Sequence, residues 1–257
     1  MSQVNPFSIA GRTAFVTGSS RGIGHSLAEA LARAGVDVAL HGIDPAETEA
    51  AAIRLHQDTG ARVVPFTFDV TDSAAVSAGV EAIEAALGRI DILVNNAGIQ
   101  RRHPLLEFPE GDLDAILAVN LKAPFLVAQK VAAGMIARGS GKIVNIASIQ
   151  SQLARPSITP YSASKGGIVM LTRGLCADLA EFGIQVNALA PGYIETELTR
   201  PLVEDEQFST WVRGRTPAGR WGKVGDLVGT LLYLVSPAAD FVNGQTIYVD
   251  GGMTAVV

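Results

Sequence analysis

This chain of 257 residues has a single cysteine, no excess of positive charge and no long apolar run. Its one cysteine, Cys176, cannot form a disulfide within the chain, which favours a reducing compartment. Asp and Glu number 25 against 20 Lys and Arg, a net charge of −5, whereas a nucleic-acid surface needs a basic excess. No uninterrupted apolar segment approaches the roughly 20 residues that span a bilayer, and no basic-then-apolar leader opens the sequence. We therefore expect a cytoplasmic protein that binds neither nucleic acid nor membrane. The scattered histidines and acidic residues predict no metal site.

Short apolar runs alternate with longer segments of helical period, the pattern typical of βαβ units. The predicted strands are Thr13–Thr17, Val36–Leu40, Arg62–Phe68, Ile90–Val94, Lys142–Ala147, Ile184–Leu189 and Thr246–Val249. Alanine-rich helices separate them, such as Gly24–Ala34, Pro45–Asp58 and Ser73–Leu87. The pattern predicts one α/β domain over 1–257, a doubly wound parallel sheet of about seven strands with helices on both faces (a Rossmann fold). Ligands of such sheets bind beyond the carboxyl ends of the strands.

A glycine-rich loop follows the first predicted strand, Thr17-Gly18-Ser19-Ser20-Arg21-Gly22-Ile23-Gly24, and opens directly into a helix. Small residues there let the backbone approach a pyrophosphate, whose charge is met by N–H groups of the helix N-terminus. The alternative is a simple glycine-rich turn without a ligand. Polar residues end two more strands, at Asp69-Val70 and at Asn95-Asn96-Ala97-Gly98. These could also be a helix start and turn formers, but together with the loop they predict dinucleotide binding.

The end of the second strand bears on the choice between NAD and NADP. An acidic residue there hydrogen-bonds the ribose 2′-OH, and a basic one accommodates a 2′-phosphate. This chain has His41-Gly42-Ile43-Asp44, with glycine where the acid is expected, while Asp44 could instead cap the helix that begins at Pro45. Arg21 in the glycine loop could reach a 2′-phosphate. The sequence therefore predicts NADP, with NAD left open.

Tyr161 and Lys165 stand four residues apart at the start of a predicted helix, and so on one face of it. A tyrosine pKa of about 10 is too high for a base near neutral pH, but a nearby ammonium favours the phenolate. The pair could then exchange a proton with an alcohol or carbonyl, and Ser148, just past the fifth strand, could hold the reacting oxygen. The alternative is an aromatic packing beside a solvated lysine. Asn120, in an otherwise helical run, needs a partner if it is buried.

In this order, and followed by Pro191-Gly192, these motifs resemble the short-chain dehydrogenase/reductase family from about Gly11 to Gly252. The resemblance implies a nicotinamide-dependent oxidoreductase and a homotetramer. It implies Ser148, Tyr161 and Lys165 as the catalytic set, with Asn120 holding a water. The implied cofactor contacts are Gly18, Ser20, Arg21, Gly22, Ile23, Gly24, Asp69, Val70, Asn95, Ala97, Gly98, Tyr161, Lys165, Pro191, Gly192, Ile194 and Thr196. The family often has arginine where this chain has Ile43, a departure that leaves NAD open as a second cofactor.

Several loops, including 95–105, 148–158 and 216–222, are similar to those of sugar-acid dehydrogenases within that family. The resemblance implies D-gluconate and 5-dehydro-D-gluconate as the substrate pair. Because the net charge is negative, a local cationic cluster must attract such an anion. Arg101 and Arg102 could clamp a carboxylate, although two adjacent loop arginines are often only solvated. The predicted substrate contacts are Arg101, Arg102, Ser148, Gln150 and Tyr161, while Arg155 could contact sugar hydroxyls or order the loop.

The polar segment 191–215 has no strong period and resembles the family's substrate lid, which Trp211 and Trp221 could line. The helical segments Leu113–Met135 and Ser162–Ala180 are apolar over wide faces, which suggests a subunit interface. Two other functions stay open. Another reductase of the family, acting on 3-oxoacyl groups or other sugars and polyols, would have a different pocket, an apolar tunnel in the acyl case. A silent dinucleotide sensor would typically lose Tyr161 or Lys165.

Overall fold

The computed structural model describes residues 5–197 and 199–257. Seven strands form its main sheet: β1 Thr13–Val16, β2 Asp37–Gly42, β3 Val63–Thr67, β4 Ile92–Asn95, β5 Gly141–Ile146, β6 Ile184–Pro191 and, last in the chain, β9 Thr246–Val249. They are ordered β3-β2-β1-β4-β5-β6-β9, and every neighbouring pair is parallel. The predicted doubly wound parallel sheet is confirmed. A separate pair, β7 Ile194–Glu195 and β8 Gly222–Lys223, was not predicted, because two-residue strands leave no periodic signal.

Helices cover both faces of the sheet. They are α1 Gly22–Arg33, α2 Pro45–Thr59, α3 Ser73–Leu87, α4 Glu110–Leu117, α5 Ala123–Arg138, α6 Thr159–Leu179, α7 Arg200–Glu204, α8 Glu206–Arg215 and α9 Gly225–Val235. Apolar side chains of α1, α2 and α9 form the core on one face, and those of α3, α5 and α6 form the core on the other. Because both faces are covered, β1 and β5 are buried along their whole length, as parallel strands in such folds usually are.

Two aspartates fix where helices begin on the edge of the sheet that carries the glycine loop. The Asp44 carboxylate accepts a hydrogen bond from the Glu47 N–H and caps α2. The Asp72 carboxylate accepts from the N–H groups of Ala74 and Ala75 and caps α3. Asp44 therefore caps the helix that follows β2, which is one of the two roles that the sequence left open for it.

One continuous helical stretch, Glu110–Arg138, is long and apolar enough to cross a membrane by length and composition alone, since an 18-residue window within it has a mean hydropathy of 1.3. It joins α4 and α5 through a π-helical turn, Ala118–Lys122. Charged residues interrupt it, which is why the sequence showed no unbroken apolar run. Core helices of globular domains have the same length and composition. Here Val127, Val131 and Met135 pack into the core beneath the sheet.

The segment 191–215, predicted as an aperiodic lid, contains β7 and the helices α7 and α8. Asp205 caps α8 by accepting from the Phe208 N–H. These helices are too short for their apolar residues to show a clear period, which explains why the sequence did not reveal them. Leu198 lies outside the described residues.

Candidate active site

The glycine loop between β1 and α1 is shaped by close backbone contacts. Gly18 has a φ of +61°, and a Cβ there would lie 2.9 Å from the Ala97 Cα. Gly22 also has a φ of +61°, but a Cβ there would meet nothing within 4 Å, so the loop is open on that side. α1 begins without a side-chain cap and without an acidic residue in its first turn. Its first N–H groups are therefore available to an anion.

Asn96 and Thr17 hold this loop against the end of β4. The Asn96 amide Nδ2 donates to the carbonyls of Thr17 and Gly18, at 2.9 and 2.8 Å. The Thr17 Oγ1 accepts from the N–H groups of Asn96 and Ala97, both at 3.0 Å. A Cβ on Gly24 would collide with the Asn96 amide. Asn96 was not among the predicted site residues, and its only sequence signal was the double asparagine at the end of a strand.

The other residues predicted along the adenosine side lie in different surroundings. Asn95 is buried, and its Nδ2 donates to the Asn145 Oδ1 at 2.9 Å, so its amide joins β4 to β5. Asp69 is exposed after β3 and accepts from the N–H and hydroxyl of Thr71, both at 2.8 Å. Val70 beside it is buried. The cofactor contacts of all three remain predictions.

His41, at the end of β2, holds the glycine loop in place and was not among the predicted site residues. It is buried; the Gly18 N–H donates to its Nδ1 at 3.1 Å, and its Nε2 lies 3.0 Å from the Phe68 carbonyl. Because a carbonyl only accepts, Nε2 carries the hydrogen and the ring is neutral. Burial is the main reason that the pKa of His41 is lowered to about 4.

Ser148, Tyr161 and Lys165 meet at the carboxyl end of β5. Ser148 precedes a short 3₁₀ helix, Ile149–Ser151, and its Oγ accepts from the Gln150 N–H at 3.1 Å. Tyr161 and Lys165 lie one turn apart at the start of α6, with the Lys165 Nζ 5.7 Å from the centre of the Tyr161 ring. Nζ donates to the Ile146 carbonyl, the last residue of β5, at 2.7 Å. The backbone of the strand thus orients the lysine.

The pKa of Tyr161 differs in direction from the sequence expectation. Burial raises it above its usual 10, while interaction with the Ser148 hydroxyl and the charge of Arg155 act in the opposite direction. Burial also lowers the pKa of Lys165 to about 8. The expectation was incomplete because it counted the lysine charge and not the loss of solvent around both groups.

Asn120 lies in the π-helical turn and is buried. Its Oδ1 accepts from the Ile99 N–H at 2.8 Å, and its Nδ2 donates to the Ile99 carbonyl at 2.9 Å and to the Ser164 Oγ at 3.2 Å. The side chain therefore ties the loop after β4 to α6. Gly98, in that loop, lies beside the lysine: a Cβ there would be in van der Waals contact with the Lys165 Nζ, at 3.9 Å.

The two adjacent arginines of the loop after β4 have different partners. Arg101 is exposed, and its Nε lies 3.8 Å from the Asp112 carboxylate, which also pairs with His103 at 2.7 Å. The pKa of Arg102 is lowered, first by partial burial and then by the positive charge of Arg155. The charges of Arg155 and of Arg102, which is itself exposed, act on each other, and the region around these two guanidiniums is called the cationic pocket. Arg101 is ion-paired with Asp112.

The wall of that pocket comes from the loop after β5 and from the segment after β6. The Arg155 guanidinium stacks on Phe208 at 5.1 Å from the ring centre, and its charge acts on both Tyr161 and Tyr193. The Tyr193 hydroxyl and the Gln150 Oε1 are buried without a hydrogen-bond partner among the described residues, although the Gln150 side chain lies close enough to influence Tyr193. These groups are available to a polar ligand. Arg155 was expected either to contact sugar hydroxyls or to order its loop, and Tyr193 was not predicted as a substrate contact, because only the fold brings their loops together.

The residues predicted after β6 form the entrance to the segment 191–215. Gly192 follows Pro191 at the end of β6, and a Cβ there would lie 2.7 Å from the Asp250 Cα. Ile194 is buried in β7, and the Thr196 hydroxyl pairs with the Thr199 hydroxyl at 3.1 Å. The Tyr193 ring packs edge to face on two tryptophans, with its centre 5.8 Å from that of Trp211 and 5.6 Å from that of Trp221.

No cluster of three or more His, Cys, Asp or Glu side chains suited to a metal ion occurs within residues 5–197 and 199–257. What the site does hold is a phenol, an ammonium and a hydroxyl beside an open glycine loop. That arrangement can move a proton at an alcohol or carbonyl oxygen next to a bound dinucleotide.

Known proteins of similar sequence and structure agree with this chemistry. Residues 18–254 match a family model described as enoyl-(acyl carrier protein) reductase. The chain is 52% identical to the gluconate 5-dehydrogenase of Gluconobacter oxydans (strain 621H), covering 99% of each, and 50% identical to the 5-keto-D-gluconate 5-reductase of Escherichia coli (strain K12), covering 98% of each. A crystal structure of a gluconate 5-dehydrogenase from Burkholderia cenocepacia J2315, in complex with NADP and tartrate, matches with a TM-score of 0.95 and 54% identity over 98% of each chain. With identity of this order over nearly its whole length, and with the glycine loop and the Tyr161–Lys165 pair in place, the chain belongs to the short-chain dehydrogenase/reductase family.

Proposed function

We propose that this chain is an oxidoreductase that interconverts D-gluconate and 5-dehydro-D-gluconate with NADP, and with NAD as a second cofactor. One observation carries the proposal: the Tyr161–Lys165 pair shares its end of the sheet with the cationic pocket of Arg102 and Arg155. A proton-transferring phenol beside two guanidiniums suits an alcohol that also carries a carboxylate. The gluconate 5-dehydrogenase relatives, one of them crystallised with NADP and tartrate, support the same substrate class and cofactor.

The residues at the glycine loop fit a dinucleotide. Gly22 leaves open space beside the uncapped N-terminus of α1, and Gly18 lets the backbone of the loop lie against Ala97. These residues would hold the pyrophosphate, and Lys165 would hold the nicotinamide ribose. When bound, the nicotinamide supplies the acceptor or donor of the hydride.

In the direction of oxidation, the Tyr161 phenolate would take the proton of the substrate hydroxyl, with the bound nicotinamide as the acceptor of the hydride. The alcohol thus loses two electrons and becomes a ketone, and reduction returns the same proton from Tyr161. The Ser148 hydroxyl, whose oxygen already accepts from the Gln150 N–H, is free to donate to the reacting oxygen. Lys165, with a pKa of about 8, is largely protonated at neutral pH and stabilises the phenolate.

The cationic pocket selects among the substrates that enzymes of this fold could bind. Arg102 and Arg155 bind the carboxylate, and the buried Tyr193 hydroxyl and Gln150 Oε1 face sugar hydroxyls. An acyl chain on a thioester would need an apolar tunnel where these charges stand. A silent sensor would have no use for the Ser148, Tyr161 and Lys165 set.

The proposal is tested by initial rates with D-gluconate and NADP⁺, and with 5-dehydro-D-gluconate and NADPH. Tyr161→Phe removes the proton donor and should lower kcat by about 10²–10⁴-fold while dinucleotide affinity measured by calorimetry is retained. Tyr233→Phe, on α9 on the opposite side of the core, is the matched control and should keep wild-type rates. Turnover of neither substrate would overturn the substrate assignment, and an active Tyr161→Phe enzyme would overturn the role of the phenol.

The role of the arginines has its own test. Arg155→Gln removes one of the two cations and should raise the KM for D-gluconate by about tenfold or more, as expected for a lost charge-assisted hydrogen bond. Arg101→Gln is the matched control, because Asp112 already engages that side chain, and it should change KM little. Equal effects of the two substitutions would contradict the assignment of the pocket.

We also propose that the protein is cytoplasmic and assembles as a homotetramer. An unpaired Cys176 supports the reducing compartment. Apolar side chains left exposed on α5 and α6, including Phe125 and Met170, support the assembly.

A further inference from the structure

Three polar side chains, those of Ser20, Arg21 and Glu47, gather where the glycine loop meets the first turn of α2. The Ser20 hydroxyl donates to the Glu47 Oε1 at 3.3 Å, and the Arg21 Nη1 lies 3.7 Å from the same oxygen. Arg21 is three-quarters exposed, whereas only about a third of the Glu47 side chain is accessible. The Glu47 carboxylate therefore engages both side-chain donors of the glycine loop, Ser20 and Arg21, at this end of the sheet.

The local backbone keeps Glu47 in this place. Its N–H donates to the Asp44 carboxylate, and the Thr48 hydroxyl donates to the Asp44 carbonyl at 2.6 Å, so the first turn of α2 is held firmly. Gly42 lets that turn approach the loop, since a Cβ there would collide with the Thr48 hydroxyl and lie 3.3 Å from the Ser20 Oγ. Glu47 is thus built into the contact between β2, α2 and the loop.

The end of the second strand is where parallel dinucleotide-binding sheets meet the adenosine ribose of their cofactor. A 2′-phosphate needs a cation and hydrogen-bond donors there, and Ser20 and Arg21 are the ones this chain offers. A carboxylate already bound to both would have to be displaced, and it repels a phosphate dianion. An uncharged ribose 2′-OH meets neither obstacle.

We propose that Glu47 sets the balance between NADP and NAD by competing with the 2′-phosphate for Ser20 and Arg21. The inference rests on the proposed dinucleotide-dependent function and adds to it a residue that weakens binding of one of the two cofactors. It explains how Arg21 can serve NADP while NAD remains usable, in a chain that has Ile43 directly after β2.

The test is calorimetric titration of the whole protein with NADP⁺ and NAD⁺, and with the fragments adenosine 2′,5′-bisphosphate and AMP. Glu47→Gln keeps the side-chain size and removes the charge. It should tighten NADP⁺ and the bisphosphate by about five- to tenfold at low ionic strength and leave NAD⁺ and AMP within about twofold. Adding Arg21→Gln to Glu47→Gln should abolish the gain. Glu47→Ala should behave like Glu47→Gln, which separates charge from any misfolding of one variant.

Glu49→Gln, an exposed carboxylate two residues along α2, is the matched control and should leave all four dissociation constants unchanged. An unchanged ratio of NADP⁺ to NAD⁺ affinity in Glu47→Gln would overturn the inference alone. Weaker NAD⁺ binding without a gain for NADP⁺ would overturn it as well, since Glu47 would then be a ligand of the ribose hydroxyls. A wild-type protein that binds neither dinucleotide would overturn the proposed function itself.

Discussion

At the scale of single residues, His41 connects three parts of the dinucleotide site. Its ring accepts from the Gly18 N–H and donates to the Phe68 carbonyl, and its backbone exchanges hydrogen bonds with Ser19, N–H to Oγ at 2.9 Å and carbonyl to N–H at 2.7 Å. β2, the glycine loop and the end of β3 are therefore joined through one neutral imidazole. A proton on Nδ1 would break the bond to Gly18 and place a charge in the core.

This contact predicts a loss of stability in acid. The unfolded histidine takes up a proton near pH 6.5, whereas the folded one stays neutral until about pH 4, so the free energy of unfolding should fall between those values and level off below. The free energy of unfolding should fall by roughly 3 kcal/mol at most over this pH range. Urea unfolding at pH 7.5, 6 and 5 measures it, with Asp69 as the nearby charge that partly offsets the effect.

The matched comparison is His41→Asn against His56→Gln. His41→Asn cannot titrate in this range and should reduce the slope of unfolding free energy against pH, whatever its effect on stability at pH 7.5. His56 is exposed near the end of α2, and its replacement should leave the slope as in the wild type. The same slope in wild type and His41→Asn would show that another group controls acid stability.

At the scale of elements, the segment after β6 depends on one hydroxyl. The Thr199 Oγ1 donates to the Ile194 carbonyl at 2.7 Å and accepts from the Thr196 N–H at 2.9 Å. It therefore closes the turn between β7 and α7, where Thr196 is predicted to contact the cofactor. The far end of the segment is held by aromatic side chains that pack on one another: Tyr193, Phe208, Trp211 and Trp221.

Thr199→Val keeps the shape of the side chain and removes these hydrogen bonds. Losing a net stabilisation of about 1 kcal/mol should weaken NADP⁺ binding by roughly three- to tenfold and speed proteolytic cleavage within 194–205, while the core unfolds at nearly the wild-type temperature. Limited proteolysis and calorimetry measure both effects. Thr210→Val, on α8, is the control; if it matched Thr199→Val, the turn would have no special part in binding.

At the scale of the whole molecule, the exposed apolar surface of α5 and α6 supports assembly. Phe125 is 44% exposed and Met170 60% exposed, although both lie on helices whose other faces fill the core. Phe125→Glu together with Met170→Glu should convert the proposed tetramer into smaller species, measured by light scattering after size-exclusion chromatography. Ile53→Glu, an equally exposed apolar position on α2, is the control and should keep the wild-type mass. A wild-type monomer would refute the assembly.

The sequence by itself determined the frame of the molecule. All seven strands of the main sheet lie within a few residues of their predicted positions, because buried parallel strands are short apolar runs bounded by helices of a different period. The resemblance to the short-chain dehydrogenase/reductase family implied Ser148, Tyr161 and Lys165 as one set, and the helical spacing placed Tyr161 and Lys165 on one face of α6. The glycine loop could be predicted because its small residues stand directly between an apolar strand and a segment of helical period.

Only the tertiary structure decided which polar side chains share a pocket and in what state of charge. Arg101 and Arg102 are neighbours in sequence, yet Asp112 engages the first and Arg155 faces the second. Asn96 rather than Asn95 holds the glycine loop, and Glu47 reaches Ser20 and Arg21 from 27 and 26 residues away along the chain. Burial raises the Tyr161 pKa against the expectation from its lysine. These outcomes depend on distance and solvent exposure between segments far apart in sequence, and local periodicity contains no information about either.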